Sequence, residues 1–190
     1  MENTVKAGVL GGTFDPVHNA HLAMARAALA QLALDKVIWI PTGVPAYRDA
    51  PVASGPDRFA MLKLALEGEP RFEIDLRELG GGATGYTADT LKELRLELGP
   101  AAELWLLLGA DQYAKLDDWY RPDVVRRLAR LGVFARPGWS LPGAGASTLA
   151  FGPMSVSGTE IRARAARGES LDGLVPDAVA NYISDKHLYS

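Results

Sequence analysis

An α/β fold built on a doubly wound parallel sheet is the architecture this sequence predicts, and three observations carry it. Short, nearly continuous apolar runs, residues 37–40 and 104–108 among them, alternate with segments of helical periodicity. Glycine and proline punctuate the junctions. No internal repeat, low-complexity tract or long linker divides the 190 residues, so 1–190 are expected to form one domain.

Each element follows from its local pattern. Residues 5–10 read as a buried first strand, Gly11 and Gly12 as a tight turn, and the Ala/Leu-rich stretch beyond as a helix. A second strand at 37–40 is ended by Pro41 and Gly43, and a Pro/Gly-rich loop runs to about Pro56. Phe59, Leu62 and Leu66 give 57–66 helical spacing, whereas 72–76 alternates like a half-exposed strand. The glycine-rich loop 80–85 is permissive enough to move over a ligand. Leu91, Leu94 and Leu98 mark a helix over 88–98, and 104–108, the most apolar strand, is expected at the centre. Helix is expected at 124–131, strand at 132–135, and a surface connection with one short strand near Leu149 over 137–153. C-terminal helices at 157–167 and 176–186 close the chain.

Composition excludes several function classes. Hydrophobic residues make up 48% of the chain, ordinary for a globular protein, and the formal charge of −3 gives no general attraction to nucleic acid or anionic membranes. Any anion site must therefore be built locally. The first residues lack the basic flank and apolar core of a signal peptide, and no apolar run reaches the roughly 20 residues that span a bilayer. With no cysteine, disulfides and thiolate catalysis are ruled out, and a cytoplasmic location is expected.

Chemistry concentrates first in Gly11-Gly12-Thr13-Phe14-Asp15-Pro16-Val17-His18-Asn19-Ala20-His21-Leu22. Two glycines let backbone approach a phosphate, and the following helix start offers N–H groups and the positive end of its dipole. His18 and His21 lie three apart and share a helix face. Read locally, one histidine could equally cap or pack while the other meets water. A zinc site is poorer still, since His187 is the only further imidazole. A second cluster, Ser157-Gly158-Thr159-Glu160-Ile161-Arg162, has the form of a capping box, with Ser157 as N-cap and Glu160 reaching back. It is either an ordinary helix start or a second phosphate site, where a guanidinium grips two oxygens at once.

The whole first string resembles the signature of the nucleotidyltransferase superfamily with the H-x-G-H motif, with Ala20 where glycine is usual. The second resembles that superfamily's I-S-S-T-x-x-R element, with Gly158 in place of a serine. The resemblance implies a Rossmann-like nucleotidyltransferase fold. Further segments, Tyr86-Thr87-Ala88-Asp89-Thr90-Leu91, Gly109-Ala110-Asp111, Trp119-Tyr120 and Arg136-Pro137-Gly138, are similar to bacterial nicotinate-nucleotide adenylyltransferases over nearly the whole chain.

That resemblance implies adenylyl transfer from ATP to nicotinate mononucleotide, giving nicotinate adenine dinucleotide and pyrophosphate. It implies His21 as principal donor to the α-phosphate, His18 as its partner, and Arg162 on the β and γ groups. Gly11, Gly12, Thr13, Phe14, Arg48, Gly109, Asp111, Arg136, Ser157 and Thr159 would serve ATP. Thr87, Trp119 and Tyr120 would serve the mononucleotide. Locally, Asp111 is as well a helix cap, Trp119 a half-buried core residue and Arg136 a solvated charge. Where the family carries histidine after the second strand, this chain has Tyr47, which cannot become cationic near neutral pH; Arg48 beside it would compensate, altering ATP affinity rather than abolishing activity. Magnesium would arrive with ATP, held by phosphate and water, without a protein metal site. A monomer or homodimer is expected. The rival readings are another transferase of the superfamily, such as the phosphopantetheine enzyme, and a nucleotide-binding sensor without turnover.

Overall fold

A computed structural model describes residues 4–43, 50–135, 145–152 and 154–190. Its described strands form one parallel sheet: β1 (Lys6–Gly12), β2 (Lys36–Pro41), β3 (Phe72–Ile74), β4 (Glu103–Gly109), β5 (Arg130–Phe134) and β6 (Ala146–Leu149). Their spatial order is β3-β2-β1-β4-β5-β6. The order reverses between β1 and β4, and ligands of open α/β sheets settle at such a switch point, outside the carboxyl ends of the strands. β4 is central, paired to β1 on one side and β5 on the other, as its apolar run requires.

Alternation along the strands divides the core in two. Leu10, Val37, Trp39, Trp105 and Leu107 pack on one face with α1 (Asn19–Gln31), α2 (Gly55–Ala65), α6 (Gly158–Ala166) and α7 (Asp177–Asp185). Val9, Ile38, Ile40, Leu104, Leu106 and Leu108 pack on the other with α3 (Thr87–Leu98), the short α4 (Ala110–Tyr113) and α5 (Pro122–Leu128). Both faces being covered, each inner strand is apolar on both sides, which is why these runs are continuous.

Three local expectations are corrected. α5 stops at Leu128, not at 131, because Arg130 and Leu131 pair with Trp105 and Leu106 of β4. Val124, Leu128 and Leu131 keep helical spacing across the boundary, so periodicity cannot place it, whereas ladder pairing can. The stretch beyond β4, read only as a helix start, folds into α4 and a single 3₁₀ turn, Leu116–Asp118, that delivers Trp119. Ser157 caps α6 as expected, accepting from the Glu160 N–H at 3.2 Å, but Glu160 does not reach back. Its carboxylate takes the Arg164 Nε–H at 2.8 Å, one turn on, and a cation at i+4 outcompetes the return bond. Among the described residues no helix is long and apolar enough to cross a membrane.

Candidate active site

Two helix starts face one cleft. The carboxyl ends of β1 and β4 form its floor through Gly11, Gly12 and Gly109. His18, Ala20 and His21 of the first turn of α1 stand on one side, and Ser157, Gly158 and Thr159 at the start of α6 on the other. Thr13, Asp111, Thr87 and Trp119 complete a space of about 540 Å³. A second hollow of about 420 Å³, between Tyr86, Lys115, Asp118 and Tyr120, shares Gly85, Thr87, Gln112 and Trp119 with it. The two are therefore lobes of one continuous site.

The imidazoles are held rigidly. His18 and His21 stack with ring centroids 3.6 Å apart, and Phe14 meets His21 edge-on at 5.0 Å. The His18 backbone N–H donates to His21 Nδ1 at 3.2 Å. With Nδ1 accepting, the neutral ring carries its proton on Nε2, so His21 offers an N–H donor from a fixed orientation. Phe14 is buried between His21 and Trp39, so its ring supports the histidine from beneath and only its backbone is left to meet a ligand.

Buried polar groups tie the site's loops together. Arg58, on the buried face of α2, donates through Nη1 to the carbonyls of Thr13 and Thr42, both at 2.7 Å. That joins the turns after β1 and β2. Asp15 accepts the backbone N–H groups of Val52 and Ala53 and the Tyr189 hydroxyl, the last at 2.7 Å. Its carbonyl accepts Arg162 Nη1 at 2.7 Å, linking the first helix start to the second. A Cβ on Gly158 would come within 3.0 Å of that carbonyl and 3.2 Å of Arg162 Nη1. The expected serine would crowd this link, a physical reason for glycine there.

The expected residues therefore gather as follows. Gly11, Gly12, Thr13, His18, His21, Thr87, Gly109, Asp111, Trp119, Ser157 and Thr159 line one cleft, and Tyr120 lines its second lobe with its ring stacked on Tyr86 at 4.3 Å. Arg162 stands behind the wall, turned to the Asp15 carbonyl and, more weakly, the Thr159 hydroxyl. Trp119 combines both readings of the sequence, packing at the margin of the core while lining both lobes. Tyr47, Arg48 and Arg136 lie outside the described residues. Sequence reasoning missed Arg58, Asp15 and Tyr189 as joining groups. Only Arg58 left a signal, a charge in phase with Met61, Leu62 and Ala65 on a buried helix face.

Known proteins resemble this chain in sequence and fold. Residues 9–164 match the cytidylyltransferase-like family model. A protein of Chromobacterium violaceum named probable nicotinate-nucleotide adenylyltransferase is 43% identical, the match covering 97% of this chain and 98% of that one. One of the same name from Salinispora arenicola is 39% identical over 95% and 99%. Plasmodium falciparum nicotinic acid mononucleotide adenylyltransferase complexed with NaAD shares the fold, with a TM-score of 0.80 at 16% identity over 97% of each chain. The chain belongs to the cytidylyltransferase-like family of nucleotidyltransferases. Within that family its relatives group it with the nicotinate-nucleotide adenylyltransferases.

Proposed function

We propose that this chain transfers an adenylyl group from MgATP to nicotinate mononucleotide, forming nicotinate adenine dinucleotide and releasing pyrophosphate. The observation that carries this reading is the convergence of two helix starts and a fixed histidine N–H donor on one cleft, continuous with an aromatic-walled lobe. The pyridine ring lies against Trp119, whose indole offers a broad face to a flat, electron-poor ring. Thr87 and the Tyr120 N–H meet the nicotinate carboxylate and so favour the acid over the amide. The Asp111 carboxylate accepts from the adenosine ribose.

A 5′-phosphate oxygen of the acceptor attacks the α-phosphorus in line. One P–O bond forms, the bond to the bridging oxygen breaks, and pyrophosphate leaves with the electron pair. The attacking phosphate, with a second pKa of about 6, is already largely deprotonated near neutral pH, so no strong base is required. Rate enhancement comes from positioning and from donors to the charge developing on phosphoryl oxygens. His21 Nε2–H is the donor to the α-phosphate, His18 holds its plane, and the N–H groups at the start of α6 take the outer phosphates. Arg162 adds charge behind them while holding the two helix starts together. Magnesium belongs to the substrate. Phosphate and water are its chief ligands. A monomer or a homodimer is compatible with this reading, and an ATP-consuming, cysteine-free chain suits the cytoplasm.

An acceptor panel tests the reading. Nicotinate mononucleotide, nicotinamide mononucleotide and phosphopantetheine are offered with MgATP and the products weighed. Nicotinate adenine dinucleotide is expected to dominate; a dominant phosphopantetheine product, or no adenylylated product, overturns it. In the same assay His21→Ala should lose roughly 10²-fold or more in kcat while remaining folded by circular dichroism. A variant near full activity removes His21 from the mechanism.

A further inference from the structure

The turn after β3 places a buried carboxyl group, Glu78, on the wall of the substrate cleft. It is held on three sides. Gly43, beyond β2, passes so close to the Glu78 carbonyl that a Cβ would not fit. Arg77 spans Asp75, Glu93 and Glu97 at 2.6, 3.2 and 2.7 Å, pinning the turn to α3. The Thr90 hydroxyl donates to Glu78 Oε1 at 2.6 Å. Thr90 lies three residues beyond Thr87, so both hydroxyls stand on one face of α3. Glu78 Oε2 takes no donor among the described residues and keeps some exposure, while Glu78 itself lines the cleft.

Ligand chemistry narrows what that oxygen can meet. Near neutral pH nicotinate mononucleotide has an anionic carboxylate at one end, a largely dianionic phosphate at the other, and no N–H. Its ribose hydroxyls are its only hydrogen-bond donors. With the ring against Trp119 and the phosphate towards His21, the sugar spans the stretch of wall between them. We propose that Glu78 binds a ribose hydroxyl of the acceptor mononucleotide and thereby fixes the sugar that carries the attacking phosphate. The proposal rests on the acceptor assignment above and deepens it.

Burial, reinforced by Asp75 and Glu93 and opposed by the Thr90 hydroxyl and Arg77, pushes this carboxyl above the ordinary carboxylate range. A group so placed is short of donors when charged, and a bound hydroxyl supplies one.

The test compares wild type and Glu78→Gln with nicotinate mononucleotide and its 2′-deoxy and 3′-deoxy counterparts under saturating MgATP. Wild type is expected to lose about ten-fold or more in kcat/KM with one deoxy acceptor, the cost of removing a hydrogen bond to a charged group. Glu78→Gln is expected to lose a similar factor with the natural acceptor, to keep its KM for ATP, and to discriminate by less than about three-fold among the three. Equal discrimination in both proteins, or a defect falling on ATP, overturns the proposal. Should the glutamine variant fail to fold, Glu78→Asp, which retracts the acid by one methylene, serves the same comparison. Absence of dinucleotide from wild type with the natural acceptor would instead sink the underlying acceptor assignment.

Discussion

Gly11 and Gly109 sit at the ends of neighbouring strands, and a methyl group would meet opposite fates at the two positions. At Gly11 a Cβ would find no protein atom within 4 Å, and the backbone is not in the left-handed region, so the fold does not demand glycine. It leaves space that a ligand phosphate can enter. At Gly109 a Cβ would come within 2.6 Å of Asp111 Oδ1, so alanine there must displace the carboxylate assigned to the adenosine ribose. Gly11→Ala is therefore expected to keep its Tm within about 2 °C while raising the KM for ATP about ten-fold or more. Gly109→Ala is expected to impair ATP binding as well, through the moved Asp111. Calorimetry beside steady-state kinetics checks both, and a Gly11→Ala protein with unaltered ATP kinetics would show that no phosphate comes near. At this scale the sequence was legible wherever a residue type has one strong use, as with the glycine pair and the two histidines. It was illegible at Asp15 and Glu78, because an acid's partners lie 37 and 174 residues away in one case and 12 in the other, and nothing local announces them.

Elements are joined here by buried polar groups as much as by apolar packing. Asp15 collects the approach to α2, the guanidinium of α6 and the segment after α7, and Tyr189 is the contact from that last segment. Burial, and then its bond to Asp15, hold the Tyr189 phenol well above its ordinary pKa of 10.0. The sign follows from linkage. Where the folded pKa of a phenol is raised, the folded state keeps its proton while unfolded chains release theirs. The stabilisation is thus complete below the ordinary phenol value and is lost as pH rises past it. Melting curves from pH 8 to 11 should show wild type losing Tm more steeply above about pH 10 than Tyr189→Phe. Parallel curves would mean that the phenol is not held this way. At neutral pH the same variant is expected to cost about 1–2 kcal/mol and to weaken ATP binding through Arg162. Element order was legible because long apolar runs and helical spacing are robust to context. The boundary between α5 and β5 was not, since leucines and arginines recur on both sides of it and only pairing with β4 decides. Glu160 was misread for a related reason, two partners one turn apart competing for the same carboxylate.

For the molecule as a whole, the order β3-β2-β1-β4-β5-β6 determines where chemistry can happen. Crossovers depart in opposite directions from β1 and β4, so helices cannot close over the gap between their carboxyl ends. Every residue assigned to phosphate or ribose among those described borders that gap or stands just behind it. A separate cleft of about 580 Å³, with Arg95, Arg126, Arg127 and Arg130 on its walls, lies at the amino ends of β4 and β5 and offers an electrostatic alternative for an anion. ATP is expected to leave it empty. The most direct test is a crystal structure with a non-hydrolysable ATP analogue and nicotinate mononucleotide. The triphosphate is expected between His18–His21 and Ser157–Thr159, with His21 Nε2 within hydrogen-bond reach of an α-phosphate oxygen and the pyridine ring on Trp119. Phosphates found at the arginine cleft, or running past only one of the two helix starts, would contradict the account.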